Sequence, residues 1–150
     1  MKTLNVPAQI EYLEEILTMV DEFLHPADVP DEISMKIRIS VEEIFTNIVS
    51  YAYGPDGGEI EISCGQSTDH SADHKTVLQI QIKDRGIPYN PLDYPTPELA
   101  VPLEERRTGG LGIYMARQFM DNMEYHYEND CNILTMYKEL PGSQTGEELS

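Results

Sequence analysis

The hydrophobic periodicity of this chain first changes at Tyr53-Gly54-Pro55. Before that point apolar residues recur at helical spacing. Ile10, Leu13, Ile16, Leu17, Val20 and Leu24 mark a first helix from about Ala8 that closes near His25-Pro26. Ile33, Ile37, Val41, Ile44, Ile48 and Ala52 mark a second, which starts around Asp31 and meets its stop at the Gly-Pro pair. Beyond the stop the period is two. Ile60, Ile62 and Cys64 alternate with Glu59, Glu61 and Ser63, and Leu78, Ile80 and Ile82 alternate with Gln79, Gln81 and Lys83, which is the pattern of strands with one wet face.

The remaining segments fit around this change. KTLNV at the start reads as a short strand ended by Pro7, and QSTDHSADHK between the two alternating runs as a polar hairpin loop. Within that loop Asp69, His70, Asp73 and His74 have a spacing a metal could use on a helix, but no helix is expected there and a solvated loop is the stronger reading. Residues 85 to 108 hold prolines at 88, 91, 95, 97 and 102, so the chain crosses a long connection without regular structure. Loops of that length in a compact domain are usually functional, often lids. A third helix from about Gly110 to Asn122 is followed by EYHYEN and CNILTMYKEL, two strands around a turn at Asn129-Asp130. The polar tail 142–150 is expected to be disordered, leaving 1–141 as the domain.

Composition narrows the function. A length of 150 residues suits one core, and no apolar run approaches the ~20 residues of a membrane span. Met1 to Pro7 lacks the basic and apolar blocks of a secretory leader, so a cytoplasmic protein is expected. A net charge of -17 argues against a nucleic-acid partner, because binding there rests on cations that neutralise phosphates. Cys64 and Cys131 lie in strand-like stretches without CxxC spacing and read as buried thiols.

Three places could carry chemistry. On the second helix Lys36, Ser40, Glu43 and Asn47 fall in a stripe about 60° wide beside the apolar face. The stripe is equally the polar boundary of any amphipathic helix. Asp84 continues the inward set Leu78, Ile80 and Ile82, so its carboxylate points to the apolar side and needs donors. Those donors are either backbone N–H groups of the following loop or an N–H of a ligand, and the strand pattern leaves both open. RTGGLGIYMA, residues 107–116, places three glycines before a helix and lacks the lysine of a phosphate-cradling P-loop. It reads as a flexible lid closing on a helix N-terminus that favours an anion, or as a glycine hinge packed against a neighbour.

Taken in order, VEEIFTNIVSYAYG, DRGIPYNP and RRTGGLGIYMARQFMD resemble the N, G1 and G2 boxes of the GHKL ATPase superfamily, and more closely the RsbW-like anti-sigma factor serine kinases. The resemblance implies an α+β fold of the Bergerat type: a two-layer sandwich with a mixed, mostly antiparallel sheet and helices on one face. It implies ATP and Mg²⁺, with Glu43 as general base, Asn47 as the metal ligand and Asp84 as acceptor for the adenine amino group. Gly86 would let the base approach, while Arg107, Thr108, Gly109, Gly110, Leu111 and Gly112 would form the lid and helix end around the phosphates. The implied activity is phosphorylation of a serine on a STAS-type antagonist protein, together with binding of a sigma factor, by a protein that tends to be a homodimer. An adapter that binds ATP without transferring phosphate is the alternative. One position departs from the pattern: the final strand carries Asn132-Ile133 where the family commonly has Gly-Thr, so the adenine pocket is expected to be looser or differently bridged.

Overall fold

The computed structural model describes residues 1–68, 76–93 and 110–141. The elements follow the chain as β1 (Lys2–Pro7), α1 (Leu13–Leu24), α2 (Asp31–Tyr51), β2 (Glu59–Thr68), β3 (Thr76–Asp84), α3 (Gly110–Phe119), β4 (Asn122–Glu128) and β5 (Cys131–Leu140). The polar hairpin tip with His70 and His74, most of the proline-rich connection with Arg107, Thr108 and Gly109, and the tail from residue 142 lie outside the described residues.

The strands form one sheet in the order β1-β2-β3-β5-β4. Every pairing is antiparallel, so the parallel neighbours that a mixed sheet would contain are absent among the described residues. β2 continues to Thr68, four residues past Cys64, because its end stays paired with the start of β3 as far as Thr76. The β4–β5 connection is a tight turn in which Asn129 and Asp130 have φ of 54° and 63°. Two consecutive left-handed residues are what a two-residue hairpin needs to match the twist of its strands, and Asn and Asp tolerate that region best after glycine.

The helices lie on one face of this sheet, and the apolar sets read from the sequence meet there. Ile16, Leu17 and Val20 of α1 and Ile37, Val41, Ile44 and Ile48 of α2 are buried together with Ile60, Ile62, Leu78, Ile80, Ile82, Leu134 and Met136 of the sheet. Each such side chain contributes about 1.5–3 kcal/mol when fully buried. α3 has only ten residues. A helix that short is marginal alone and stands on its packing against α2.

α2 begins after Pro30, which caps no N–H with a side chain, and Asp31 and Glu32 occupy the first turn, where carboxylates favour the positive end of the helix dipole. It stops at Tyr51 as the chain enters Gly54-Pro55. Both cysteines are buried and free. Burial pushes the Cys64 thiol up to about 11, which leaves it unreactive at neutral pH.

Candidate functional site

The polar stripe of α2 divides into two halves with different roles. Ser40 is fully buried and donates to the Lys36 carbonyl at 2.8 Å, a local bond that satisfies it within the helix. Lys36 lies 3.5 Å from Glu32 and 6.0 Å from the Phe119 ring. These two positions are the ordinary amphipathic boundary. One and two turns further on, Glu43 and Asn47 are different. Asn47 is 6% exposed, and its Oδ1 is buried without a hydrogen-bond partner.

Helix α3 runs antiparallel to α2 along this half. Glu43 meets Gly112 near the start of α3, and Lys36 meets Phe119 at its end. A Cβ on Gly112 would sit 2.0 Å from Glu43 Oε1, so the glycine is what lets the carboxylate pass beside the helix backbone. The first backbone N–H groups of α3, at Gly110, Leu111 and Gly112, have no helical carbonyl to bond and lie at this end of the interface. Glu43 itself has its pKa raised, by desolvation first and by the neighbouring Glu42 second.

Asp84 ends β3 on the inward side, as the alternation requires, and is 5% exposed. The question left open by the sequence has a definite answer in the protein itself. Asp84 Oδ1 accepts the Gly86 N–H at 2.8 Å and the Asn132 side-chain amide at 2.9 Å. Burial raises the pKa of Asp84, while the bonds from Asn132 and then Gly86 oppose the rise. Gly86 is pressed against the end of α2: a Cβ there would fall 2.2 Å from the Ala52 carbonyl oxygen. That same carbonyl accepts the Ile87 N–H at 3.0 Å. The close approach this glycine makes is therefore to α2.

A narrow cleft of about 30 Å³ lies between α2 and the sheet. Asn47, Ile48 and Tyr51 form one wall, Asp84, Asn132 and Leu134 the floor, and Ile87, Tyr89 and Tyr125 the other side. Thus Asn47 and Asp84 share one cleft and Glu43 stands a helical turn from Asn47, while Arg107, Thr108 and Gly109 lie outside the described residues. Among the described residues no cluster of three His, Cys, Asp or Glu could hold a metal. The only sequence-predicted metal ligand described is Asn47, an amide oxygen of the hard type that Mg²⁺ prefers.

Asn132 was visible in the sequence only as a departure. In the structure it is directly opposite Asp84 in the β3–β5 register and is 6% exposed. Part of the signal was present: Asn132 belongs to the inward set of β5 with Leu134 and Met136, and a buried amide needs partners. Tyr125, which donates to Asn132 Oδ1 from β4, carried no comparable signal.

The fold agrees with what comparison finds. Residues 6–138 match the histidine kinase-like ATPase domain, and the chain belongs to that family. It is 28% identical over 141 residues to the serine-protein kinase RsbW of Bacillus cereus strain AH187, covering 87% of this chain and 80% of the relative. RsbW of Bacillus thuringiensis subsp. konkukian is 29% identical over the same length. Among solved structures, the RsbU and RsbW domains of a Mycobacterium tuberculosis protein superpose with a TM-score of 0.57 at 14% identity, over 93% of this chain and 33% of that longer one. SiaB in the SiaB–SiaC complex from Pseudomonas aeruginosa gives 0.50 at 15%, over 93% and 89%. Among the described residues no helix is long and apolar enough to cross a membrane.

Proposed function

We propose that this protein is an ATP- and Mg²⁺-dependent serine/threonine protein kinase of the anti-sigma type. It phosphorylates a serine of a STAS-type antagonist in the cytoplasm and binds a sigma factor as its second activity. The observation that carries the reading is the shared cleft of Asn47 and Asp84, with an unpartnered buried oxygen on the first and Glu43 one turn away. Relatives named serine-protein kinases and a structural neighbour seen in complex with a second protein support the choice of a protein substrate.

The residues present fit the metal. A buried Oδ1 without a donor is what a cation or its water satisfies, and Asn47 would hold Mg²⁺ together with the nucleotide phosphates. Bound there, Mg²⁺ supplies neutralisation of charge on the transferring phosphoryl group. Glu43 takes the proton of the attacking serine hydroxyl as that oxygen bonds to the γ-phosphorus and ADP departs. Its raised pKa moves it toward the working pH, where a general base is most effective. Asp84 accepts from the amino group of adenine. Gly110, Leu111 and Gly112 offer the N–H groups at the start of α3 to the phosphates, with Arg107, Thr108 and Gly109 as the lid ahead of them.

The outward face of the sheet suits a homodimer. Thr3, Ser63, Gln81 and Thr135 form a neighbouring row of uncharged polar residues across four strands, and Thr3 and Ser63 hydroxyls lie 3.0 Å apart. Covering these four positions strands no charge, and the row ends on Glu124 of β4.

The test is transfer from γ-labelled Mg-ATP to purified STAS-domain proteins. Wild type is expected to label a serine of its cognate partner, and Glu43→Ala to bind Mg-ATP while labelling nothing. Unchanged transfer by Glu43→Ala overturns the base assignment. The second reading, a non-catalytic ATP-binding adapter that regulates a partner through lid conformation, has Asn132 in its favour, since that residue alters the adenine end of the cleft. Nucleotide binding by wild type without transfer to any STAS candidate selects it.

A further inference from the structure

Asn132 uses all of its hydrogen-bonding capacity in one place. Its Nδ2 donates to Asp84 Oδ1 at 2.9 Å and to the Ile87 carbonyl at 2.9 Å, with the Gly86 carbonyl at 3.4 Å. Its Oδ1 accepts the Tyr89 N–H at 3.0 Å and the Tyr125 hydroxyl. A side-chain amide has two donor hydrogens and two acceptor lone pairs, so this set fills it. The polarity is fixed as well. Turning the amide over would set its oxygen against a carboxylate and a carbonyl, and its NH₂ against the Tyr89 N–H.

The consequence falls on Asp84. A carboxylate on a free side chain rotates readily about its last torsion and can present either oxygen. Here both bonds to Asp84 arrive at Oδ1, from Asn132 and from Gly86. Oδ2 receives neither. The carboxylate is held by one oxygen with the other left for a ligand in the cleft, and the same amide ties the segment 86–89 to β5.

Building on the proposed nucleotide site, we propose that Asn132 is the positioning residue that sets which base this cleft accepts. By clamping Oδ1 of Asp84 it dedicates Oδ2 to an exocyclic amino group on a purine. A 6-amino purine then meets an acceptor with a donor, whereas a 6-oxo purine sets acceptor against acceptor. Without the clamp the carboxylate turns and the loop loosens, and the cleft loses its preference while the phosphates are held elsewhere.

The experiment is calorimetric titration of Mg-ATP and Mg-GTP into wild type, Asn132→Ala and Asn132→Leu, with thermal melts to establish that each folds. Asn132→Leu keeps the branching at Cγ but loses the donors to Asp84 and Ile87. The expected result is a wild-type preference for ATP that falls by about tenfold or more in both variants, the loss of one hydrogen bond to a charged group, with GTP affinity changed less than about threefold. Cooperatively melting variants that keep the wild-type ATP:GTP ratio overturn the assignment to Asn132 alone. Wild type that binds no Mg-ATP overturns the nucleotide reading itself. A measurement on wild type does not depend on the variants folding: the Asn132 side-chain amide protons are expected to stay protected from solvent exchange when Mg-ATP binds. Loss of that protection means the nucleotide displaces the clamp, and overturns the proposal.

Discussion

Glu43 and Gly112 face each other across the α2–α3 interface with no room for a side chain on the second, since a Cβ at Gly112 would lie 2.0 Å from Oε1 and 2.9 Å from Cδ of the glutamate. The neighbour that must yield is the end of a flexible side chain. A helix gains about 1 kcal/mol when alanine replaces an interior glycine, and the smaller gain in the first turn, where Gly112 stands, offsets part of the cost of moving it. Gly112→Ala is therefore expected to change the unfolding free energy by less than about 1 kcal/mol while turning Glu43 out of place. Phosphoryl transfer to a STAS-domain partner should fall at least tenfold with Mg-ATP binding retained, as read by a transfer assay beside calorimetry. A variant with full transfer activity would separate the Glu43 position from catalysis.

Gly86 meets a different kind of obstacle. A Cβ at this position would lie 2.2 Å from the Ala52 carbonyl oxygen and 2.7 Å from the carbonyl carbon, both backbone, and that carbonyl already accepts the Ile87 N–H. Neither helix end nor loop can yield without giving up a hydrogen bond. Overpacking of this kind costs about 1–3 kcal/mol. Gly86→Ala is expected at the upper end of that range in urea unfolding, several times the effect of Gly112→Ala. Equal effects of the two would show that the α2 end is softer than its contacts imply.

The contrast shows what the sequence could and could not say. Periodicity placed α2, β2 and β3 within four residues, because burial on one face leaves a direct imprint on spacing, while α1 starts at Leu13, five residues after the expected Ala8, behind a 3-10 turn at Ile10–Tyr12. Asp84 was legible as an inward carboxylate for the same reason. The separation of Ser40 from Asn47 was not: both lie on one stripe, yet the first is satisfied by a carbonyl of its own helix and the second is left unpartnered. Nor could spacing reveal that Asn132 stands opposite Asp84, since the β3–β5 register is set by segments 48 residues apart in the chain. The glycines were legible as close approaches but not as approaches to what.

Protonation gives a test of Glu43 that needs no partner protein. Desolvation, and Glu42 after it, raise its pKa in the folded state above the value near 4.3 of an unfolded glutamate. The folded protein thus holds this proton more tightly, so the contribution of Glu43 to stability is full below the unfolded pKa and is lost as pH rises through the folded one. Glu43→Gln carries no such titration. Its melting temperature relative to wild type is expected to rise from pH 4 through the raised pKa and then level off, leaving the variant the more stable at pH 7. A difference independent of pH would place Glu43 in water. Under the proposed mechanism transfer by wild type rises through the same interval, as the base ionises.

Asn47 sets stability against function most directly. Its Oδ1 is buried and unpartnered, and an unsatisfied buried polar group costs about 1–3 kcal/mol. Leucine has the same branching at Cγ and no polar atom. Asn47→Leu is expected to raise the stability of the nucleotide-free protein by about 1–2 kcal/mol in chemical unfolding. The gain should come with a specific loss: a ligand at a hundred times its Kd adds about 2.7 kcal/mol to wild type, and the Mg²⁺-dependent share of that stabilisation should vanish in the variant. Adding EDTA to wild type in the presence of ATP should reproduce the loss without the gain. If Asn47→Leu instead destabilises the free protein and leaves the Mg²⁺ response intact, the oxygen is satisfied in solution and the metal is held by other groups.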